Sequence, residues 1–245
     1  MFDKNTYLER IGYSGSGEPT LATLRELQRK HQTRFHYDNA YVGITDFLRF
    51  DLDAMFVTTV LKGRGGICTD LNFLFVRLLE ELGFDVKLVA AGILFPGGKW
   101  GPDVEHAVIV VRLDGEDWLA DVGYGGVSIV EPLRMSGETA SQDGIDFRLL
   151  RDGDYHVLQY RTRGKDWRIA YRVTTKARDR NEWNVLTELN TIHKDVLVRR
   201  RRCVTDNGQV MLTANLIVSI EDGVESSRLV RDPAELEKVV SQYWG

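Results

Sequence analysis

The sequence predicts a multi-domain α+β fold in which helices come first, antiparallel strands follow and a mixed segment closes the chain. Three observations predict it. Apolar residues recur at helix spacing up to Gly83, the spacing shortens to that of strands from Val86, and both patterns return after residue 176. The three stretches, 1–84, 85–175 and 176–245, are the expected domains.

In the first stretch Leu21, Leu24 and Leu27 follow Pro19, a residue suited to a first helical turn, and Leu52, Met55, Phe56 and Val60 repeat the spacing before Gly63. A further helix starts at Cys68, carries Leu71, Leu74, Phe75, Leu78, Leu79 and Leu82 on one side, and ends at Gly83. Together they predict a helical bundle. In the middle stretch Asp114-Gly115, Asp152-Gly153 and Gly164 read as turns, so antiparallel hairpins run to about Val173 and form a small barrel or sandwich. The last stretch predicts a short helix around Asn184 to Leu189, then strands near Val196 to Val204 and Gln209 to Ile220 joined by a turn at Asp206-Asn207-Gly208. A final helix opens on Asp232-Pro233-Ala234-Glu235 and runs to Tyr243.

Composition narrows the function. The 245 residues are 43% apolar, enough for a real core. The net charge of −4 comes from 32 basic and 36 acidic side chains mixed along the chain, so no overall field favours nucleic acid or a membrane as partner. Met1 to Arg10 has no apolar signal region and no stretch is apolar enough to span a bilayer, which predicts a cytoplasmic protein. There the two cysteines, Cys68 and Cys203, stay reduced; with no CxxC pair and five scattered histidines, no metal site is expected.

The chemistry points to Arg64-Gly65-Gly66-Ile67-Cys68-Thr69-Asp70-Leu71-Asn72. It sets a cysteine at the start of a strongly periodic helix behind two glycines that free the backbone. Amides at a helix N-terminus stabilise negative charge on sulfur, and such sites with a cationic neighbour lower a thiol pKa from about 8.5 to between about 3.5 and 7.5. A buried structural cysteine is the competing reading at this point. A second clue is the hairpin at Asp114-Gly115. If its turn has two residues, Leu113 faces Glu116, Val108 faces Asp121 and His106 faces Gly123, which places His106 and Asp121 on one face within side-chain reach. A three-residue loop would reverse the parity. The flanking runs are apolar, so a carboxylate at Asp121 needs a partner, and an imidazole is a suitable one.

The run Arg64 to Asn72, then His106, then Asp121-Val122-Gly123-Tyr124-Gly125-Gly126 resembles the arylamine N-acetyltransferases in order and spacing, and the likeness extends over nearly the whole chain. The resemblance implies a helical bundle, a central antiparallel β-barrel and a C-terminal α/β lid with a cysteine-protease-like Cys-His-Asp triad. It also implies a ping-pong acyltransferase that moves an acetyl group from acetyl-CoA through a cysteine thioester to an arylamine or hydrazine, with no metal. Carried over by position, the nucleophile is Cys68, its base His106 and the orienting carboxylate Asp121.

Departures from the family pattern either concern what is acylated or are neutral changes at partly exposed positions. The usual Pro-Phe-Glu-Asn-Leu stretch is here His36-Tyr37-Asp38-Asn39-Ala40, the glutamate after the cysteine is Asp70, and Glu105 precedes His106, with its side chain expected on the opposite strand face. Candidate substrate-binding residues are Tyr37, Asn39, Gly125 and Gly126. Arg199 to Arg202 either meets the phosphates of coenzyme A or is a solvated strand face, the second being favoured; without interleaved aromatics it is no single-strand nucleic-acid site. Alternative activities are an amide synthase taking a larger acyl thioester in natural-product biosynthesis, with an acyl carrier protein as partner, and a cysteine hydrolase. The sequence leaves a homo-oligomer open.

Overall fold

The computed structural model of the chain describes residues 1–42, 51–95, 97–184 and 198–245. Helix α1 (Lys4–Arg10), which the sequence reading did not include, is capped by Asp3, whose carboxylate accepts from the Thr6 amide. Helix α2 (Leu21–Arg34) is capped in the same way by Thr20, and its Leu24 and Leu27 are fully buried. Helix α3 (Leu52–Met55) lasts one turn and passes directly into a π-helical stretch, Phe56–Leu61. At that junction the Thr58 hydroxyl donates to the carbonyls of Ala54 and Met55, competing with the backbone ladder. Helix α4 (Cys68–Glu81) buries Leu71, Leu74, Phe75, Leu78 and Leu79 completely, and Gly83 follows it with a left-handed φ of +83°.

Eight antiparallel strands form the central sheet: β2 (Asp85–Ile93), β3 (His106–Leu113), β4 (Glu116–Ala120), β5 (Leu133–Arg134), β6 (Ala140–Gln142), β7 (Ile145–Asp152), β8 (Tyr155–Arg161) and β9 (Arg168–Ala177). Their order is β5-β4-β3-β2-β9-β8-β7-β6, and β5 packs against β7, so the sheet curls into a nearly closed barrel. Strand β9 continues to Ala177, four residues beyond the expected end of the hairpins at Val173. Strand β3 shows how the barrel joins the helices. Ala107, Ile109, Val111 and Leu113 pack with the helices, whereas Val108 and Val110 point into the barrel with Leu119.

A second antiparallel sheet has the order β1-β10-β11-β12-β13, where β1 is Tyr37–Asp38, β10 Arg200–Thr205, β11 Gly208–Thr213, β12 Leu216–Glu221 and β13 Val224–Leu229. Helix α5 (Pro233–Trp244), opened by Asp232 and Pro233, lays Val239 and Trp244 on it. Three sequence expectations change here. The strand expected from Gln209 to Ile220 is two, β11 and β12, joined by a turn at Ala214-Asn215 where Ala214 has a φ of +53°. Gly208 is paired with Thr205, so the turn is only Asp206-Asn207. Arg180–Asn184 forms a 3-10 turn, and the rest of the helix expected to Leu189 lies outside the described residues, as do Val196 and Leu197.

Candidate active site

The turn at Asp114-Gly115 has two residues with φ of +50° and +82°, a combination that suits the twist of a tight hairpin. Leu113 therefore pairs with Glu116, and the register runs to Ile109 opposite Ala120. Continuing the parity of Val108, Val110 and Leu119 puts His106 and Asp121 on the barrel-facing side. There His106 Nε2 donates to Asp121 Oδ2 at 2.8 Å.

Asp121 is fully buried, and an uncompensated ion at such a place costs several kcal/mol. Four donors compensate it. Oδ2 also accepts from the Tyr171 hydroxyl at 3.0 Å, while Oδ1 accepts from Asn72 Nδ2 at 3.0 Å and the Gly123 amide at 2.9 Å. Burial alone would raise the carboxyl's pKa, but the charge of His106 and the hydrogen bonds from His106, Asn72 and Gly123 outweigh it, and the net shift is downward.

Cys68 is the first residue of α4, at the end of the helix where amides gather positive potential. Ile67 before it has no side-chain acceptor, so the cap comes from Asp70, whose Oδ2 accepts from the Ile67 amide at 2.9 Å. Burial pushes the Asp70 carboxyl up to about 7, against the pull of that amide and of Arg64. The loop after β4 reaches Cys68 because residue 123 is glycine: a Cβ there would lie 2.8 Å from Cys68 Cα and 2.6 Å from Asn72 Nδ2. The Cys68 thiol lies 3.9 Å from the Glu105 carbonyl, in the residue before His106, and interacts electrostatically with the His106 ring. With Nε2 engaged by Asp121, the ring nitrogen left for sulfur is Nδ1. Burial would depress the imidazole, yet the charge and hydrogen bond of Asp121, then the neighbouring Cys68, raise its pKa to about 10. The imidazole is thus hydrogen-bonded to the carboxylate on one side and neighbours the sulfur on the other.

Three further residues support this arrangement: sequence reasoning gives Asn72 and Tyr171 no role and expects Arg202 on a solvated strand face, which its burial overturns. Asn72 donates to the Ala107 carbonyl at 2.7 Å as well as to Asp121, and its Oδ1 accepts from the Val122 amide at 3.0 Å. It lies four residues after Cys68, on the same helix face, and that spacing was the available signal. Tyr171 arrives from β9 and left no local trace. Arg202, 1% exposed, donates from Nε to the Tyr124 carbonyl at 2.6 Å, from Nη1 to Gln32 Oε1 at 2.8 Å and from Nη2 to the Val122 carbonyl at 3.4 Å. Burial pulls its pKa down to about 10, while Asp121 pulls the other way.

Of the four candidate substrate-binding residues, Tyr37 and Gly125 meet: a Cβ on Gly125 would lie 2.6 Å from the Tyr37 ring. Gly126 makes room for the ring of Tyr124, which stands 5.3 Å from the His106 ring. The Asn39 side chain is taken up by backbone, accepting from the Arg200 amide at 2.6 Å and donating to the Val198 carbonyl at 3.0 Å. Glu105 is not on a strand as expected. It ends a 3-10 turn, Asp103–Glu105, and its carboxylate accepts from the Ile93 amide at 3.2 Å. Cys203 is buried with its thiol pushed up to about 11, chiefly by burial, and neither cysteine is in a disulfide.

Residues 20–245 match a family model described as N-acetyltransferase. The chain is 36% identical to proansamycin X synthase of Amycolatopsis mediterranei, over 99% of this chain and 96% of that protein. It is 28% identical to the arylamine N-acetyltransferase of Escherichia coli, over 98% of this chain and 88% of the other. The fold superposes on the arylamine N-acetyltransferase of Mycobacterium marinum in complex with CoA with a TM-score of 0.86 and 26% identity, covering 98% of this chain and 91% of that one.

Proposed function

We propose a mechanism from one premise: the chain belongs to the arylamine N-acetyltransferase family and is an acyltransferase. The observation that carries the mechanism is the His106 ring, hydrogen-bonded to a fully satisfied Asp121 and neighbouring Cys68 at the start of α4. The roles are those of a Cys-His-Asp triad. Asp121 holds the ring with Nε2–H toward itself and stabilises the imidazolium, leaving Nδ1 to exchange a proton with sulfur.

The Cys68 thiolate attacks the carbonyl of an acyl-CoA thioester, with acetyl-CoA the simplest donor. In this reading the Cys68 amide, in the first turn of α4, donates to the oxyanion. The bond to the coenzyme sulfur breaks, and His106 returns its proton to the departing thiolate. An arylamine or hydrazine then attacks the Cys68 thioester, His106 takes the amine proton, and Cys68 leaves as thiolate. Two easier steps replace one, and positioned proton transfer contributes typically 10²- to 10⁴-fold in rate. In this reading residues 1–84 are the helical domain presenting the nucleophile, 85–175 the barrel presenting its partners, and 176–245 an α/β lid over the acyl-donor side.

A second reading, an amide synthase acting on a larger acyl thioester, is favoured by the 36% identity to proansamycin X synthase across nearly the whole of both chains. Intact-mass spectrometry after incubation with acetyl-CoA, longer acyl-CoA esters and carrier-bound thioesters, followed by an arylamine chase, tests both. Acylation confined to Cys68 and discharged by amine faster than by water is expected. Acylation only by long or carrier-bound thioesters selects the synthase, discharge by water alone indicates a hydrolase, and no adduct removes the thioester mechanism.

A further inference from the structure

Arg199 to Arg202 is the one dense basic run in the sequence, and the fold separates its four charges. Arg201 turns to Asp38, Nε donating to Oδ2 at 3.0 Å. Arg202, directly opposite Tyr37 in the register, is used inside the protein on Gln32, Val122 and Tyr124. Arg199 is exposed. Arg200 differs from all three. Two residues from Arg202 on one strand, it shares the sheet face that carries Tyr37 and looks onto the loop from Tyr124 to Gly125.

The backbone of Arg200 is held on both sides by Asn39. The Asn39 amide donates to its carbonyl at 3.2 Å and the Arg200 amide donates to Asn39 Oδ1 at 2.6 Å. Its guanidinium, half-buried, makes no hydrogen bond or ion pair with any of the described residues. Its charge nevertheless acts on both tyrosines at the site, favouring the ionised form of Tyr37, which is also next to Cys68, and of Tyr124, which packs on His106. Tyr37 thus neighbours both the reactive sulfur and a planar cation that has no partner among the described residues.

We propose that Arg200 is a specificity-determining residue that receives a carboxylate on the amine acceptor, selecting arylamines that carry the acid on the ring. A guanidinium fork matches a carboxylate in bidentate geometry, and a site with a half-buried cation prefers the ligand that pairs it. Reach argues for the acceptor as source. In a CoA thioester the long pantetheine arm separates the phosphates from the reacting carbonyl, whereas a single benzene ring separates amine from acid in an aminobenzoate, and one residue, Tyr37, interacts with both Cys68 and Arg200. The inference rests on the Cys68 thioester reading for its kinetic test.

The experiment compares para- and meta-aminobenzoate with their neutral methyl esters as acceptors, with acetyl-CoA as donor, in wild type, Arg200→Met and Arg200→Lys. Arg200→Met is expected to raise KM for the acids about tenfold to a hundredfold, the range for losing a charged hydrogen-bond pair. The esters should change less than about twofold, Arg200→Lys should recover part of the loss, and Cys68 acetylation should keep its rate. Equal losses for acid and ester, or no preference for acid in wild type, overturn the proposal. Slower Cys68 acetylation by acetyl-CoA but not by acetyl-pantetheine overturns it in favour of the donor's phosphates. If wild type forms no acyl-enzyme, the thioester reading fails separately. Calorimetric binding of para-aminobenzoate against its ester, in Cys68→Ser with and without Arg200→Met, then still decides: a preference for acid lost with Arg200→Met supports the site, and none overturns it.

Discussion

The wall of the site formed by α4, β3 and β4 and the wall formed by β1 and β10 treat polar groups in opposite ways. On the first, both oxygens of Asp121 and both ends of the Asn72 amide are hydrogen-bonded inside the protein. On the second, a two-residue strand pairs with a run of arginines, of which Arg201 and Arg202 are hydrogen-bonded while the Arg200 guanidinium makes no hydrogen bond or ion pair with any of the described residues. A closed network fixes geometry and protonation, which suits chemistry common to a family. A short pairing with unspent donors suits a surface that sets which substrate is accepted. Substitutions on the first wall should therefore remove catalysis, and those on the second should redistribute it among substrates.

The largest effect is expected for Asp121→Asn, which keeps size but takes from the imidazole the charge that orients it. Acyl transfer should fall by about 10⁴-fold, the scale of such a change in hydrolytic triads. Breaking the buried pair should also cost about 3–5 kcal/mol of stability in urea unfolding. A rate within tenfold of wild type would break the contrast between the walls. Next, Asn72→Ala leaves the Val122 amide and the Ala107 carbonyl without their side-chain partner. A loss of about 1–3 kcal/mol, with slower alkylation of Cys68 by iodoacetamide, is expected; unchanged alkylation would make Asn72 purely a stability element.

Protonation sharpens the comparison. His106 has its pKa raised, so its pairing stabilises the fold fully below about pH 6.5 and is lost as pH rises through about 10. Thermal melting of wild type minus His106→Gln should narrow over that window and stay constant below it. Asp70 runs the other way for a carboxylate. Its folded pKa of about 7 lies above the ordinary 3.8, so its ionisation costs stability as pH rises from about 4 to 7. Asp70→Asn should therefore gain on wild type across that range, and a flat difference would contradict it. The smallest effect belongs to the second wall. Tyr37→Phe removes a hydroxyl with no hydrogen-bond partner among the described residues, and Cys68 acetylation should change less than about threefold. A larger loss would make Tyr37 part of the chemistry.

The sequence exposed the pairing of His106 with Asp121 because one tight turn fixes strand parity, and parity carries over fifteen residues. Cys68 was legible because a helix start is a local signal. Asn72 lay in the same motif, but its role depends on a loop from residue 122 that only packing brings to α4. Tyr171 could not be read and Arg202 reads wrongly as a solvated strand residue, since their partners lie 50 and 170 residues away in the chain. Glu105 was misplaced because a 3-10 turn delays the start of β3 by one residue, and a one-residue shift changes which way a side chain points.

The stitch between β1 and β10 has a consequence in time. Asp38 meets Arg201 across 163 residues and Gln32 meets Arg202 across 170, so these contacts close the longest loops around the site. Closing such loops is slow to be repaid, and the segments they join are expected to dock after the local helices and hairpins have formed. During synthesis, the sulfur, its ring and its carboxylate belong to the first 121 residues, but the guanidinium that fastens the Val122 to Tyr124 loop emerges 78 residues after Tyr124. A growing chain would thus hold its reactive trio in rough form well before the clamp that finishes it arrives.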